Sequence, residues 1–188
     1  MSLDVGLIVE NRSDEDVISS LVSRLANRKI RYRTFHSRGC GNLRSKCIAW
    51  ALDLYSRGSR VLLVVQDLDE NDLAGLRAEL EKLVICSPFK KYCVVIPVRE
   101  IEAWLLADEQ GVKAAFSFKK TVSATVSPEL EKDAKGRLYD VIYIASEKRV
   151  EYVHTIHNKR IALQVDITKL QSKCPSFVLL SSFIDTVI

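Results

Sequence analysis

The sequence predicts an α/β fold in which a parallel sheet of about four strands is flanked by helices, followed by a helical C-terminal extension. Short apolar stretches alternate with longer stretches whose apolar residues recur at helical spacing, which is the pattern of a parallel sheet with crossover helices. The run at 61–65, VLLVV, is wholly apolar, as expected of a strand buried on both faces. We therefore take this run as the centre of the fold.

The other strands are predicted on either side of this run. Residues 3–9 and 92–98 are nearly continuous apolar stretches and are expected to be buried strands. Residues 30–35 alternate apolar with polar or basic side chains, which indicates an edge strand with one wet face. The predicted strand order is 2-1-3-4.

Capping residues indicate where the intervening helices begin. Ser13, with Asp16 three residues later, is expected to cap the first helix. Asn71 or Asp72 is expected to cap the third helix.

The division predicted for the chain is an α/β domain at residues 1–110 and a mainly helical extension at 111–188. Apolar spacing in the extension indicates several short helices. Phe177, Leu180 and Phe183 are expected either to pack on the sheet or to face another chain, such as a second copy of this one.

Composition excludes several classes of protein. Apolar residues make up 47% of the 188 residues, so a sizeable core can form. No apolar run approaches the ~18 residues that a membrane-spanning helix needs, and the N-terminus lacks the pattern of a signal peptide. The five cysteines show no C-x-x-C spacing, so no disulfide framework or zinc site is indicated. We expect a cytoplasmic protein without a membrane partner.

Basic residues are concentrated in one segment. Residues 24–60 contain ten lysines and arginines and a single acid, although the whole chain has a net charge of only +4. Such segregation predicts a nucleic-acid partner, and a solvated basic face is the alternative. The residues expected to contact phosphates are Arg31, Arg33, Arg38, Arg44 and Lys46.

Acidic side chains follow three of the four predicted strands. They are Glu10, then Asp67 with Asp69, and then Glu100 with Glu102. The carboxyl ends of parallel strands lie at one edge of the sheet, where ligands of such sheets usually bind. Carboxylates this close repel unless a cation or protons neutralise them, and their oxygens suit Mg²⁺ or Mn²⁺. The alternative is that they are surface residues or helix caps.

The backbone conformation decides which acids can meet. Residues two apart point the same way on extended backbone but about 200° apart on a helix. The stretch after Asp67 favours extended backbone up to Asp69. A helix begins close to Glu100, so we expect only one of Glu100 and Glu102 to reach the edge, and we favour Glu102.

The arrangement of an acid after the first strand, in Leu7–Glu10, and an Asp-x-Asp after a later apolar strand resembles the Toprim superfamily. The resemblance covers about residues 3–108. Within that superfamily, Asp14 and the Glu100-x-Glu102 pair resemble the pattern of the overcoming-lysogenisation-defect (OLD) nucleases. Residues 99–108 look most like small stand-alone bacterial Toprim-like proteins of unassigned function.

This resemblance implies a Toprim-like, Rossmann-like fold and metal-dependent nuclease chemistry on DNA or RNA. Its implied metal ligands are Glu10, Asp14, Asp67, Asp69, Glu100 and Glu102, with Glu10, Asp67 and Asp69 as the catalytic residues. Proteins of this kind are often encoded beside an ABC- or AAA-type ATPase, and this context implies such a partner and a role in phage defence. One departure is Asn11, where the family usually has glycine, although asparagine tolerates the left-handed backbone such a turn requires.

Three other functions fit the same residues. The first is a ribosomal-RNA maturase-like Toprim enzyme. The second is a receiver-like phosphoacceptor domain, which would use Asp67 and would not need Glu102. The third is a non-catalytic subunit that binds nucleic acid or an ATPase. Metal binding separates the nuclease and maturase functions from the last.

Overall fold

The chain forms a four-stranded parallel sheet with helices on both faces, in a computed structural model that describes residues 3–26, 28–37 and 40–187. The strand order is β2-β1-β3-β4, as the sequence predicted. The strands are β1 Leu3–Val9, β2 Ile30–His36, β3 Val61–Val65 and β4 Lys91–Val95. The helices of the first half are α1 Arg12–Ala26, α2 Cys40–Ser56, α3 Leu73–Ile85 and α4 Glu102–Leu106.

The C-terminal part is helical, in agreement with the prediction. Its α-helices are α5 Glu109–Phe116, α6 Ala134–Ala145, α7 His154–Ala162, α8 Ile167–Lys173 and α9 Pro175–Val187, and a 3₁₀ turn at Pro128–Leu130 precedes α6. Among the described residues, no helix has both the length and the apolar character needed to cross a membrane.

Alternate residues of the central strand enter two different cores. Leu63 and Val65 of β3 pack in the core shared with α1 and the C-terminal helices. Leu62 and Val64 pack in the opposite core, against α2 and α3. This alternation follows from the two-residue repeat of a strand, and it explains why every residue of β3 is buried. The side chain of Asp67, which follows Val65 by two positions, therefore belongs to the α1 face.

Of the two alternatives for the apolar residues of α9, packing on the sheet is confirmed for two of the three. Phe177 and Leu180 are fully buried, and Phe183 is partly buried against the same core. They pack with the sheet because α9 lies against β4 and α1. The C-terminal extension thus completes the core on the α1 face of the sheet.

The start of α1 also differs from the prediction. The helix begins at Arg12, one residue before the expected cap Ser13. Asn11 and Asp14 form a reciprocal capping box: the backbone N–H of Asp14 donates to Asn11 Oδ1 at 3.2 Å, and that of Asn11 donates to Asp14 Oδ2 at 3.3 Å. Asn11 lacks the positive φ that the glycine of the resembling family would allow. At α3 the prediction is confirmed, because Asp72 accepts a hydrogen bond from Gly75 N–H at 2.7 Å.

Candidate metal centre

Acidic side chains meet at the carboxyl edge of the sheet. Glu10 directly follows β1, and Asp67 follows β3 by two residues. Asp14 lies in the first turn of α1, and Glu102 is the first residue of α4. With Asp69 these residues form what we call the acidic cluster. The sequence therefore predicted correctly that acids from separate strand ends lie at the same edge.

The loops after β3 and β4 hold Asp69 in place. Backbone pairing continues past the strands, from Gln66 N to Val95 O, Leu68 N to Pro97 O and Asp69 N to Arg99 O, each 3.0 to 3.1 Å long. Extended backbone thus reaches Leu68, one residue before the predicted limit at Asp69. Asp69 and Arg99 then both adopt the left-handed conformation, with φ of 47° and 63°. This double turn ends the pairing and places Asp69 beside Glu10.

Burial and mutual repulsion raise the pKa values of three members of the cluster, Glu10, Asp14 and Asp67. Burial is the largest cause at Glu10, followed by the charge of Asp69. Burial, Glu102 and Glu10 raise the pKa of Asp14 to about 7. At Asp67 every cause raises the pKa: burial first, and then the charges of Asp14, Glu102, Glu10 and Asp69. The acids are therefore close enough to interact strongly, and a counter-charge would stabilise their ionised forms.

A buried polar network from α7 holds Glu102. Asn158, fully buried, donates through Nδ2 to Glu102 Oε1 at 3.0 Å and to Ser13 Oγ at 2.8 Å. The Tyr152 hydroxyl donates to Asn158 Oδ1 and lies 3.5 Å from Glu102 Oε1. Glu102 itself is only 3% exposed. The C-terminal extension thus fixes one carboxylate of the cluster, since satisfied networks of this kind hold side chains in a single arrangement.

Glu100 and Glu102 diverge, as expected where a helix begins. Glu100 Oε1 accepts a hydrogen bond from the backbone N–H of Lys135 at the start of α6, at 3.1 Å. Glu102 instead interacts with Asp14 and Asp67, since its charge is one of the causes, after burial, that raise their pKa values. The Lys135 ammonium lies 3.9 Å from Glu102 Oε1. Glu102 is therefore the member of the pair that joins the cluster, while Glu100 flanks it.

The predicted phosphate-binding residues do not gather at the acidic cluster. Arg31 and Arg33 form ion pairs with Asp4, at 3.3 and 2.7 Å, near the amino end of the sheet. Lys46 lies over the ring of Trp50, 5.8 Å from its centroid. Arg38 lies outside the described residues. Arg44 alone of the described four is close enough to Glu10 to lower its pKa, and it also pairs with Glu79 at 3.0 Å.

The carboxylates are not yet arranged as metal ligands. Within residues 3–26, 28–37 and 40–187, no three histidine, cysteine, aspartate or glutamate side chains form a group that could hold a metal ion. The chemistry of the cluster nevertheless fits a hard divalent cation, because its donors are carboxylate oxygens. One of these, Glu10 Oε1, is buried without a hydrogen-bond partner. Rotation of these side chains would be required to form a metal site.

Sequence reasoning missed the polar residues that surround the cluster. Asn158, Tyr152 and Lys135 come from the C-terminal extension, and their contacts with Glu102 span 33 to 56 positions of the chain, which no local pattern reveals. Gln66 could have been found from the sequence, because it is a polar residue within the apolar stretch that leads to Asp67. It is fully buried at the end of β3.

The raised pKa of Asp14 predicts how stability changes with pH in metal-free protein. A carboxyl that binds its proton more tightly when folded stabilises the fold below its ordinary pKa of 3.8. That contribution is lost as the pH rises toward its folded pKa of about 7. As the pH rises from about 4 to about 7, the free energy of unfolding should fall less for Asp14→Asn than for wild type. Asparagine keeps an oxygen that can cap the helix. Chemical denaturation in the presence of a chelator measures this.

The control for that experiment is Asp185→Asn on α9, an exposed aspartate remote from the cluster. Its stability should follow the wild-type curve at every pH. Parallel curves for wild type and Asp14→Asn would contradict the raised pKa of Asp14.

The fold and the site define an α/β protein with a partly buried acidic cluster at the carboxyl edge of its parallel sheet. A family model described as Domain of unknown function (DUF4276) matches residues 9–185. The chain therefore belongs to the DUF4276 family. No curated protein and no solved structure matches the chain.

Proposed function

We propose that this protein hydrolyses phosphodiester bonds of nucleic acid in a reaction that depends on Mg²⁺ or Mn²⁺. The observation that carries the proposal is the acidic cluster, in which carboxylates from two strand ends and two helices lie close together and the pKa values of Glu10, Asp14 and Asp67 are raised. Maintaining such repulsion costs stability, so a bound cation provides a physical reason for it. The resemblance of residues 3–108 to Toprim domains supports the same conclusion.

The ligands proposed for the metal are Glu10, Asp14, Asp67, Asp69 and Glu102, with Glu100 beside them. When bound, a divalent cation lowers the pKa of water and offsets negative charge on a phosphate. The charges of four other acids raise the pKa of Asp67. Asn158 keeps Glu102 turned toward that centre.

A role as general base is proposed for Glu10 as the alternative to metal binding. Burial and Asp69 raise its pKa, which brings a carboxylate nearer the pH at which a base is effective. In the reaction, a water oxygen bonds to phosphorus, the bond to the leaving oxygen breaks, and Glu10 accepts the proton from water. The leaving oxygen keeps the electron pair and takes a proton from solvent. Arg44, whose charge lowers the pKa of Glu10, is the residue proposed to contact the phosphate.

The wider context is proposed from the resemblance. It suggests a cytoplasmic protein that acts in phage defence with an ABC- or AAA-type ATPase or as a homo-oligomer. Large apolar side chains are exposed in the 3₁₀ turn, α6 and α7, where Leu130, Ile144 and Ile156 are 80%, 67% and 65% exposed. Because isolated exposed apolar residues are common, they do not select a partner.

A second candidate is a non-catalytic nucleic-acid- or ATPase-binding subunit. It is favoured by the finding that, over the described residues, no group of three or more ligating side chains is preformed for a metal. The ion pairs of Arg31, Arg33 and Arg44 with acids argue against a strongly basic binding face.

Calorimetric titration with MgCl₂ and MnCl₂ tests the proposal and separates the two candidates. We expect saturable binding to wild type and none to Asp67→Asn. In parallel, single- and double-stranded DNA and RNA are incubated with the protein, with the cation or with chelator. Cation-dependent cleavage supports the nuclease function, whereas the absence of metal binding would favour the non-catalytic subunit.

A further inference from the structure

Gln66 is a buried amide without a partner. It lies between the last residue of β3 and Asp67, and it is fully buried. Neither Oε1 nor Nε2 of this side chain has a hydrogen-bond partner. An unsatisfied buried amide lowers the stability of a fold, and a methionine of similar shape would avoid that cost. The fold alone therefore gives no reason for a glutamine at this position.

Glu10 follows the neighbouring strand at a matching position. β1 and β3 pair in parallel up to Ile8 and Val64, and Glu10 and Gln66 each lie two residues beyond that last pair. Hydrogen bonding from the backbone of Asp67, the residue after Gln66, also acts on the Glu10 carboxylate. Gln66, whose backbone N–H still pairs with Val95 O, continues the alternation of Val64, whose side chain faces the core formed with α2 and α3.

Several polar atoms on this face lack partners at the same time. Glu10 Oε1 is buried without a hydrogen bond, as are both polar atoms of Gln66 and Arg44 Nε. Arg44 lies near Glu10, whose pKa its charge lowers. The set combines donors and acceptors: an amide NH₂ and a guanidinium N–H, with a carboxylate oxygen and an amide oxygen. Buried atoms of this kind commonly bind ordered water.

We propose that Gln66 and Glu10 bind a water molecule between them, and that Gln66 orients this water toward a phosphate held at the acidic cluster. The amide NH₂ of Gln66 donates to the water oxygen, and the water donates to Glu10 Oε1. These two bonds fix the water and leave a lone pair on its oxygen. Gln66 is then a catalytic residue that is absent from the acidic pattern. The role of this water in hydrolysis rests on the proposed function, whereas the binding of the water by Gln66 and Glu10 does not.

Gln66→Met tests the role of the amide, because it removes both polar atoms and keeps a long unbranched side chain. We expect its melting temperature to equal or exceed that of wild type. The kcat of cation-dependent hydrolysis should fall about tenfold or more with little change in KM, since the lost contact acts on the attacking water and not on substrate binding. Gln171→Met, at an exposed glutamine of α8, is the matched control and should change neither the melting temperature nor kcat.

A second measurement does not depend on activity. In ¹⁵N-labelled wild type, we expect magnetisation transfer between a bound water and the side-chain NH₂ of Gln66. Absence of that transfer would overturn the water site, whatever the activity. Transfer in a protein that cleaves no nucleic acid would support the water site and overturn the hydrolytic role. Full activity of Gln66→Met would also overturn that role.

Discussion

Replacing Asp67 with asparagine is expected to abolish the cation-dependent cleavage proposed above. The loss should exceed about a hundredfold, because even residues that only support metal ligands typically contribute 10- to 100-fold. Asp67 is the acid on which all other members of the cluster act. Asparagine keeps the size of the side chain and removes its charge, so the loss would report on charge and metal binding. Cleavage rates with saturating Mg²⁺ measure it.

The same substitution should have the opposite effect on metal-free protein. The substitution removes the repulsion between Asp67 and the other acids of the cluster. The free energy of unfolding at pH 8 in chelator should therefore rise. Asp140→Asn, at an exposed aspartate of α6, is the matched control and should change neither quantity. An Asp67→Asn variant that keeps wild-type cleavage rates would refute the assignment of the acidic cluster as the active site.

Trp104→Ala is expected to cause the largest loss of stability. The ring is fully buried on α4 and packs edge-to-face on Phe177 of α9, with centroids 5.2 Å apart. Its Nε1–H donates to Ser176 Oγ at 2.8 Å. Removing a buried aromatic side chain costs about 3–5 kcal/mol. Urea denaturation of the variant measures the change in the free energy of unfolding.

The other tryptophan supplies the comparison. Trp50 lies on α2 and is only partly buried, stacked on Phe35 with ring centroids 5.2 Å apart. Trp50→Ala should therefore cost clearly less than Trp104→Ala. If the two variants lose similar stability, α4 and α9 do not share the tightly packed core described above.

The strands were predictable because their signals are local. The apolar run at Val61–Val65 and the alternation at Ile30–His36 each identify burial within a few residues, and the strand order was correct. The position of α9 was harder to predict. An apolar helical face must be covered, but the sequence does not specify what covers it. Phe177 could therefore contact another chain or pack in the core. Likewise, Ser13 has the chemistry of a cap but lies one residue inside the helix.

The acidic cluster was predictable for a different reason. Parallel strands must end at the same edge, so acids that follow them are brought together whatever the details of packing. The surrounding polar residues depend on where the extension folds back. Asn158 reaches Glu102 only because α7 packs on α1 and α4, which no local spacing specifies. Binding of a metal, of nucleic acid and of an ATPase remains a prediction.

The contribution of α7 also sets an order of events during synthesis. The ribosome adds Asn158 56 residues after Glu102, so every acid of the cluster is translated well before the group that holds Glu102. A chain released early by a stop codon before α7 would contain the acids but not their complete arrangement. The fold therefore delays completion of the acidic cluster until α7 has been made, and a chain that ends before α7 cannot fix Glu102 through Asn158.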